Sequence, residues 1–220
     1  MQRELPQIER MRTRLRRPRR DIHQLVKPPA YPFEFFLISK DGNKVKSSNG
    51  PFAAPDWDFE RARREPLDLL MIPGGEGTRP LLDEKNHPKE VAALLDWVHA
   101  MDGKVRIMAS VCTGAAVLAR AGLLDGLPAA TNHAAFGWVV SHGPKVLWNS
   151  VARWVDAGKY VTSAGVSAGT DMGFYLVMRL AGRAVAENAV SAAEYDWHRD
   201  PLSPIFYPQQ ADVPVPEPEG

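Results

Sequence analysis

Cys112 is the only cysteine of the chain, and its surroundings predict a nucleophile. Residues 105–118 read VRIMASVCTGAAVL, an apolar run followed directly by a run of small residues. A buried strand that passes straight into a helix places Cys112 on a sharp turn, for which Gly114 leaves room. The positive end of the helix favours the nucleophilic thiolate, so we expect a Cys112 pKa below about 8.5. The alternative is a small buried apolar side chain, as most free cysteines are.

A second glycine-containing turn could supply hydrogen-bond donors to the same site. Residues 68–77 read DLLMIPGGEG, an apolar strand that ends in Gly74 and Gly75. Backbone N–H groups of this turn, together with that of Cys112 or Thr113, could form an oxyanion hole. No Gly-Lys-Ser/Thr sequence follows, which excludes a phosphate-binding P-loop. The alternative is an ordinary strand-to-helix turn.

No residue pattern in the chain is typical of a metal or cofactor site. Asp171 is expected near the start of a helix, as a partner of the helix dipole rather than an acid catalyst. The histidines other than His133 lack the i, i+4 spacing of helical metal ligands and are expected at the surface: His23, His87, His99, His142 and His198. We therefore expect neither a metal nor a cofactor.

Strand and helix patterns alternate along the middle of the chain. Short apolar runs bounded by Gly or Pro predict buried strands at residues 33–39, 67–72, 104–111, 129–132 and 159–164. Helical patterns occupy residues 88–101, 113–121, 168–181 and 184–195. This alternation predicts a doubly wound α/β sheet with helices on both faces, where ligands bind at the carboxyl ends of the strands.

Composition limits the class of protein. The 220 residues, 45% hydrophobic and 24% charged, fit one sizeable globular domain. No stretch is long and apolar enough for a membrane span, no signal peptide is visible, and a single cysteine suits a reducing compartment, so we expect a cytoplasmic protein. Residues 1–20 hold eight arginines and two glutamates. The remainder is mildly acidic, and nucleic-acid binding is therefore not expected.

An ordered set of short motifs resembles the DJ-1/PfpI family. The set comprises PGG at residues 73–75, SVCTG at 110–114, ARAGLLDG at 119–126, ATNH at 130–133 and TSAGVSAGTD at 162–171. The resemblance covers roughly residues 33–195 and is strongest to the isonitrile hydratase-like branch. The same domain is similar to the amidotransferase-like half of some transcription regulators.

The resemblance implies a fold, a site and an activity. The fold would be a flavodoxin-like three-layer α/β sandwich with a mostly parallel sheet. Cys112 would be the nucleophile with Thr113 beside it, Gly74 and Gly75 would bind substrate or an oxyanion, and His133 would lie near the cysteine. Taken alone, His133 is more typical of a core or surface histidine.

The implied activity is the addition of water to a small electrophile such as an isonitrile. The thiolate would attack, backbone N–H groups would hold the developing negative charge, and water would complete the turnover. Two alternatives stay open. One is a glyoxalase-type activity on reactive carbonyls; the other is a non-catalytic or redox-sensing domain in which Cys112 is oxidised.

One part of the family pattern is missing. Members begin with an apolar strand in the middle of the sheet, followed by an acidic residue that acts on the cysteine. Residues 1–32 are instead a basic extension, expected to be disordered and to contribute little to stability. A wrongly assigned gene start, a truncated inactive paralogue or an authentic basic arm would each explain it. Residues 33–200 would form the DJ-1/PfpI-like domain and residues 201–220 a Pro-rich tail.

The resemblance also implies a homodimer. Four tryptophans that look exposed in the sequence are compatible with an interface: Trp138, Trp148, Trp154 and Trp197. The alternative is that these side chains cover the core.

Overall fold

The central layer is a sheet of mostly parallel strands. The computed structural model describes residues 8–12, 33–47 and 50–205. The strands are β1 (Ile8–Arg12), β2 (Glu34–Ile38), β3 (Val45–Lys46), β4 (Phe52–Ala53), β5 (Leu69–Ile72), β6 (Ile107–Val111), β7 (Pro128–Ala130), β8 (Leu147–Asn149), β9 (Trp154–Ala157) and β10 (Tyr160–Ser163). Four of them form a sheet in the order β5-β6-β10-β9, in which β5, β6 and β10 are parallel and β9 is antiparallel to β10. A parallel pair of β7 and β8 lies beside β9.

Helices cover both faces of this sheet. They are α1 (Phe59–Arg64), α2 (Thr78–Leu81), α3 (Pro88–Asp102), α4 (Ala115–Arg120), α5 (Phe136–Ser141), α6 (Val166–Ala181) and α7 (Arg183–Ala192), with a 3₁₀ turn at Cys112–Gly114 before α4. The fold is the expected flavodoxin-like α/β sandwich. In the described part of the chain, no helix is long and apolar enough to span a membrane.

The alternation of side chains along the strands divides the core into two layers. Leu70 and Met108 pack with α3 and α4 on one face, whereas Leu69 and Ile107 pack with α6 on the other. All four side chains are buried, so β5 and β6 have no solvent-facing side. Because both faces of these strands are buried, both sets of alternating side chains are apolar, and the strands appear in the sequence as continuous apolar runs.

The structure differs from the expected disorder of residues 1–32 at one segment. β1 pairs antiparallel with β2, with Ile8 opposite Ile38 and Arg12 opposite Glu34. The backbone of β1 also runs close to that of β5, so β1 lies between β2 and β5. Few apolar residues were available to predict a strand here, but strand pairing uses backbone N–H and C=O groups that every residue supplies. The rest of residues 1–32 lies outside the described residues.

Two of the four tryptophans proposed for an interface belong to the core. Trp154 and Trp197 are buried, at 3% and 5% exposure. Trp138 and Trp148 are half-buried and pack against the core around α4. The interpretation of Trp154 and Trp197 as exposed interface residues is therefore wrong, and these tryptophans cover the core.

After α7 the chain continues without helix or strand through residues 196–205, which we call the C-terminal strap. The backbone N–H of Arg153 donates to the carbonyl of Pro201 at 2.7 Å. The indole N–H of Trp197 donates to the carbonyl of Asp171 at 3.1 Å. The strap is thereby tied to the start of β9 and to α6.

Candidate functional site

Cys112 lies on a sharp turn at the carboxyl end of β6. Its φ of 57° is in the left-handed region that residues with a side chain rarely adopt. Two contacts hold the turn: the Cys112 N–H donates to the carbonyl of Ala164 at 2.8 Å, and the Thr131 hydroxyl donates to the Cys112 carbonyl at 2.9 Å. The strand-to-helix elbow predicted from residues 105–118 is present, and the residues that directly follow β7 and β10 support it.

Gly74 and Gly114 allow two backbone turns to approach each other closely. A Cβ on Gly74 would lie 2.6 Å from the Cys112 Cβ and 2.7 Å from the Thr113 nitrogen. A Cβ on Gly114 would lie 2.4 Å from the carbonyl oxygen of Ile72. Because these distances are shorter than any normal contact, neither position has room for a side chain. The loop after β5 is therefore pressed against the cysteine turn.

Replacing Gly114 by alanine should destabilise the protein by about 1–3 kcal/mol, because the new methyl group meets backbone of β5 that cannot move alone. Gly137 in α5 is the matched control, since a Cβ there would meet nothing within 4 Å. Gly137→Ala should be neutral or stabilise slightly, by up to about 1 kcal/mol. Urea unfolding of both variants measures the difference; equal effects would contradict the close approach.

Thr113 and Thr78 form a buried hydroxyl pair beside the cysteine. Their Oγ1 atoms are 2.6 Å apart, and the two residues are 8% and 3% exposed. The Gly75 N–H donates to Thr113 Oγ1 at 2.9 Å, and the Thr78 hydroxyl donates to the Gly75 carbonyl. The Gly75 N–H expected in an oxyanion hole is thus already engaged by Thr113. Thr78 was not identified from the sequence, because nothing in the sequence shows which threonine would reach Thr113.

Burial raises the pKa of the Cys112 thiol above its ordinary value, and it is the largest influence on that group. The N–H and hydroxyl of Thr113 and the N–H of Gly75 lower the pKa, while the Glu76 carboxylate raises it further. The expected lowering of the Cys112 pKa is therefore wrong. Desolvation of the thiolate raises the pKa of Cys112 more than the hydrogen-bond donors lower it. The dipole of α4, which has only six residues, does not reverse this effect.

The raised pKa predicts how alkylation of the protein depends on pH. Because only the thiolate reacts and the folded state disfavours it, the iodoacetamide rate should climb about tenfold per pH unit and reach no plateau below about pH 9. The control is the same chain unfolded in guanidinium chloride, where the rate should level off near the free-thiol pKa of about 8.5. The single cysteine makes the signal unambiguous. A plateau below pH 8 in the folded protein would restore the original expectation.

Glu76 is a candidate that the sequence reasoning passed over. Its exposed side chain lies near enough to Cys112 to raise the pKa of the thiol. It directly follows Gly74 and Gly75, and this position in the sequence could have identified it as a site residue. The loop after β5 therefore carries a carboxylate whose charge acts on Cys112, although the acidic residue of the family's N-terminal pattern is missing.

His133 lies two residues after Thr131, on the loop that supports the cysteine turn. Its Nε2 is buried and has no hydrogen-bond partner among the described residues. Burial lowers the pKa of the imidazole below its ordinary value, which favours the neutral ring at pH 7. Its side chain lines a cavity of about 600 Å³ together with Phe136 and Val151, and Cys112 is not among the residues lining that cavity.

Asp171 does not act as a partner of the helix dipole. It is fully buried and accepts from Arg153 Nε at 2.8 Å and Nη2 at 2.5 Å. Its other oxygen accepts the backbone N–H of His198 in the strap at 3.0 Å. The carboxylate is saturated by these donors, so it is a structural anchor. Among the described residues, no cluster of His, Cys, Asp and Glu side chains could hold a metal ion.

Comparison with known proteins gives one family and several relatives. The model of the DJ-1/PfpI family matches residues 30–179. The isonitrile hydratase of Pseudomonas putida is 32% identical over 159 residues, which are 72% of this chain and 64% of that protein. The transcriptional regulator GbdR of Pseudomonas aeruginosa strain UCBPP-PA14 is 27% identical over 69% of this chain and 38% of its own length. The chain therefore spans less than two thirds of either relative.

A solved structure supports the fold independently. The crystal structure of a ThiJ/PfpI family protein from Pseudomonas syringae has a TM-score of 0.61 and 30% sequence identity, and the match covers 73% of this chain and 62% of that one.

Proposed function

Because this chain belongs to the DJ-1/PfpI family, we propose that Cys112 is the nucleophile of a hydratase that adds water to a small electrophile of the isonitrile type. The observation that supports this most is the Cys112 turn itself. The residue is held at a φ of 57° by two hydrogen bonds: its N–H donates to the Ala164 carbonyl, and its carbonyl accepts from the Thr131 hydroxyl. Strained backbone that the surroundings maintain is typical of functional sites.

A protonated thiol suits the first step of this reaction. The Cys112 proton moves to the terminal carbon of the isonitrile and the sulfur bonds to the same carbon, so one S–H bond breaks while C–H and C–S bonds form. The product is a thioformimidate on the enzyme, and no oxidant or reductant is needed. The raised pKa of Cys112 therefore keeps a proton where the reaction consumes one.

Water completes the turnover in the second step. Water adds to the thioformimidate carbon, the C–S bond breaks, the sulfur regains a proton and an N-substituted formamide leaves. The N–H and hydroxyl of Thr113 lower the pKa of Cys112, so they stabilise the sulfur as it departs with negative charge. We assign the deprotonation of water to Glu76, whose charge reaches Cys112. His133 remains a second candidate base.

Two alternatives carry over from the sequence. A glyoxalase-type reaction would use the same cysteine on a reactive carbonyl. A non-catalytic domain is favoured by the similarity to a transcriptional regulator, where the site would bind a ligand without turnover. Redox sensing is the weaker form of that alternative, because sensor cysteines have a low pKa and burial raises that of Cys112. A homodimer in the cytoplasm remains part of the proposal.

Formation of a formamide from cyclohexyl isonitrile, followed by proton NMR, tests the hydratase. The wild type should turn over, and Cys112→Ser should lose activity by at least about 10³-fold, since alcohol cannot replace thiol in the first step. Thr113→Val should lose about 10-fold, as expected when one donor to a charged group is lost. Thr170→Val, at an exposed threonine that bonds only within α6, is the matched control. Absence of wild-type turnover would overturn the proposal.

A further inference from the structure

The Thr113 hydroxyl has one proton and three acceptors within reach. Its Oγ1 lies 2.6 Å from that of Thr78 and 3.2 Å from the Gly75 carbonyl oxygen. The third acceptor is the Cys112 sulfur, on which the hydroxyl also acts. Because a hydroxyl donates only one hydrogen bond, Thr113 serves one of these acceptors at a time. The choice among them therefore decides whether the sulfur has this donor.

The hydroxyl of Thr78 controls this choice. The contact of 2.6 Å between the two threonine oxygens is a hydrogen bond, so it contains a proton from one of them. Thr78 donates its own proton to the Gly75 carbonyl, and the proton between the oxygens therefore comes from Thr113. Both threonines are buried, where polar groups keep their hydrogen bonds. In this orientation the Thr113 hydroxyl is directed away from the sulfur.

The opposite orientation of the hydroxyl pair is also satisfied by its surroundings. When Thr78 gives its proton to Thr113, the Thr113 hydroxyl is free to donate to the Cys112 sulfur. The Gly75 carbonyl still accepts the backbone N–H of Thr78 at 3.1 Å, so it is not left without a partner. A thiolate is a stronger acceptor than a neutral thiol. This second orientation therefore accompanies ionisation of Cys112.

We propose that Thr78 is a positioning residue that acts on Cys112 through Thr113: in the resting protein it draws the Thr113 hydroxyl away from the sulfur and so favours the thiol over the thiolate. This effect on the thiol does not depend on the reaction, whereas its use in turnover rests on the proposed function. There the resting orientation keeps the proton that the first step consumes. The turned orientation supplies a donor to the departing sulfur.

The charged groups around the sulfur are independent of the hydroxyl pair. The Glu76 carboxylate, two residues before Thr78, raises the pKa of Cys112. Burial lowers the pKa of His133, on the loop after β7, which favours the neutral ring at pH 7. Asp171 on α6 is held in a buried ion pair. Because removing the Thr78 hydroxyl alters none of these charges, a change in the titration of Cys112 reports on the hydroxyl pair.

The test is the pH profile of iodoacetamide alkylation of Cys112 in the full chain. Thr78→Val removes the hydroxyl at nearly constant volume, and the remaining competitor for the Thr113 proton is the Gly75 carbonyl at 3.2 Å. The profile should move down by about one pH unit. The rate below pH 9 should rise about threefold, since lower basicity offsets part of the larger thiolate fraction. Thr78→Ser, which keeps the hydroxyl, and the exposed Thr170→Val are the controls and should match the wild type.

A double variant separates action through Thr113 from a structural effect. In a Thr113→Val background, Thr78→Val should leave the alkylation profile unmoved, because no hydroxyl remains for it to position. An unchanged or slower rate in Thr78→Val alone, or the same increase in both backgrounds, would overturn the proposal. Thermal unfolding shows whether each variant is folded, and Thr78→Ala tests the same hydroxyl if the valine variant is not. Absence of isonitrile turnover would overturn the hydratase alone, and the alkylation result would still decide the role of Thr78.

Discussion

Replacing Arg153 by methionine should destabilise the protein by about 3–5 kcal/mol, because it leaves the buried Asp171 carboxylate without its cationic partner. Asp171 is 0% exposed and Arg153 supplies two donors to one of its oxygens. For a chain of this length that loss lowers the unfolding temperature by roughly 6–20 °C. Differential scanning calorimetry measures this decrease in the unfolding temperature directly. We expect Arg153→Met to lower it more than any other single side-chain replacement proposed above.

Arg179 provides the matched control for this prediction. Its pair with Asp156 has side chains that are 32% and 24% exposed, so Arg179→Met should change stability by no more than about 1 kcal/mol. The double variant Arg153→Met/Asp171→Leu should recover much of the loss, since it removes the unpaired charge. Equal effects at Arg153 and Arg179 would show that the buried pair is not the anchor described above.

Removing residues 1–12 should greatly reduce the soluble yield of the protein, because it takes β1 from between β2 and β5. β2 would then lose its paired strand and the edge of β5 would be uncovered, and exposed strand edges promote aggregation. Each lost ladder hydrogen bond costs about 0.5–1.5 kcal/mol in addition. This expectation reverses the one drawn from composition, which treated the basic extension as dispensable. Soluble yield and the unfolding temperature of the purified fraction are the measurements.

A proline within β1 separates backbone pairing from side-chain effects. Arg10 lies opposite Phe36 in the middle of β1, and proline in a central strand disrupts the ladder. Arg10→Pro should therefore reproduce part of the deletion, and Arg10→Ala, which keeps the backbone N–H, is the control that isolates the loss of backbone pairing. If Pro and Ala behave alike and the deletion is harmless, residues 8–12 do not act as a strand of this sheet.

The sequence predicts those features that depend on local patterns. The runs ending at Gly74 and Cys112 are short, apolar and bounded by small residues, so the two strands and the turn between β6 and α4 could be identified directly. The helical patterns likewise predicted α3, α4, α6 and α7. These features need only neighbouring residues to be recognised.

Features that depend on distant parts of the chain could not be found in this way. Thr78 and Thr113 meet only because two loops are pressed together, and Arg153 and Asp171 are buried only because the strap covers them. The pKa of Cys112 depends on the balance between burial, which raises it, and hydrogen-bond donors, which lower it. The helical pattern after Cys112 does not show how deeply the thiol is buried, so the sequence could not predict this balance. β1 was missed because only Ile8 and Met11 of its five residues are apolar, although its backbone can still pair with β2.

Intact-mass spectrometry of the enzyme mixed with excess cyclohexyl isonitrile, quenched within the first turnover, tests the central role of Cys112 most directly. The proposal predicts a species heavier than the free chain by one isonitrile molecule, with the added mass on the peptide that contains Cys112. The species should decay as formamide appears, and it should not form in Cys112→Ser. Formamide production with no such species in the wild type, or with Cys112 left unmodified while another residue carries the mass, would contradict the assignment of Cys112 as the nucleophile.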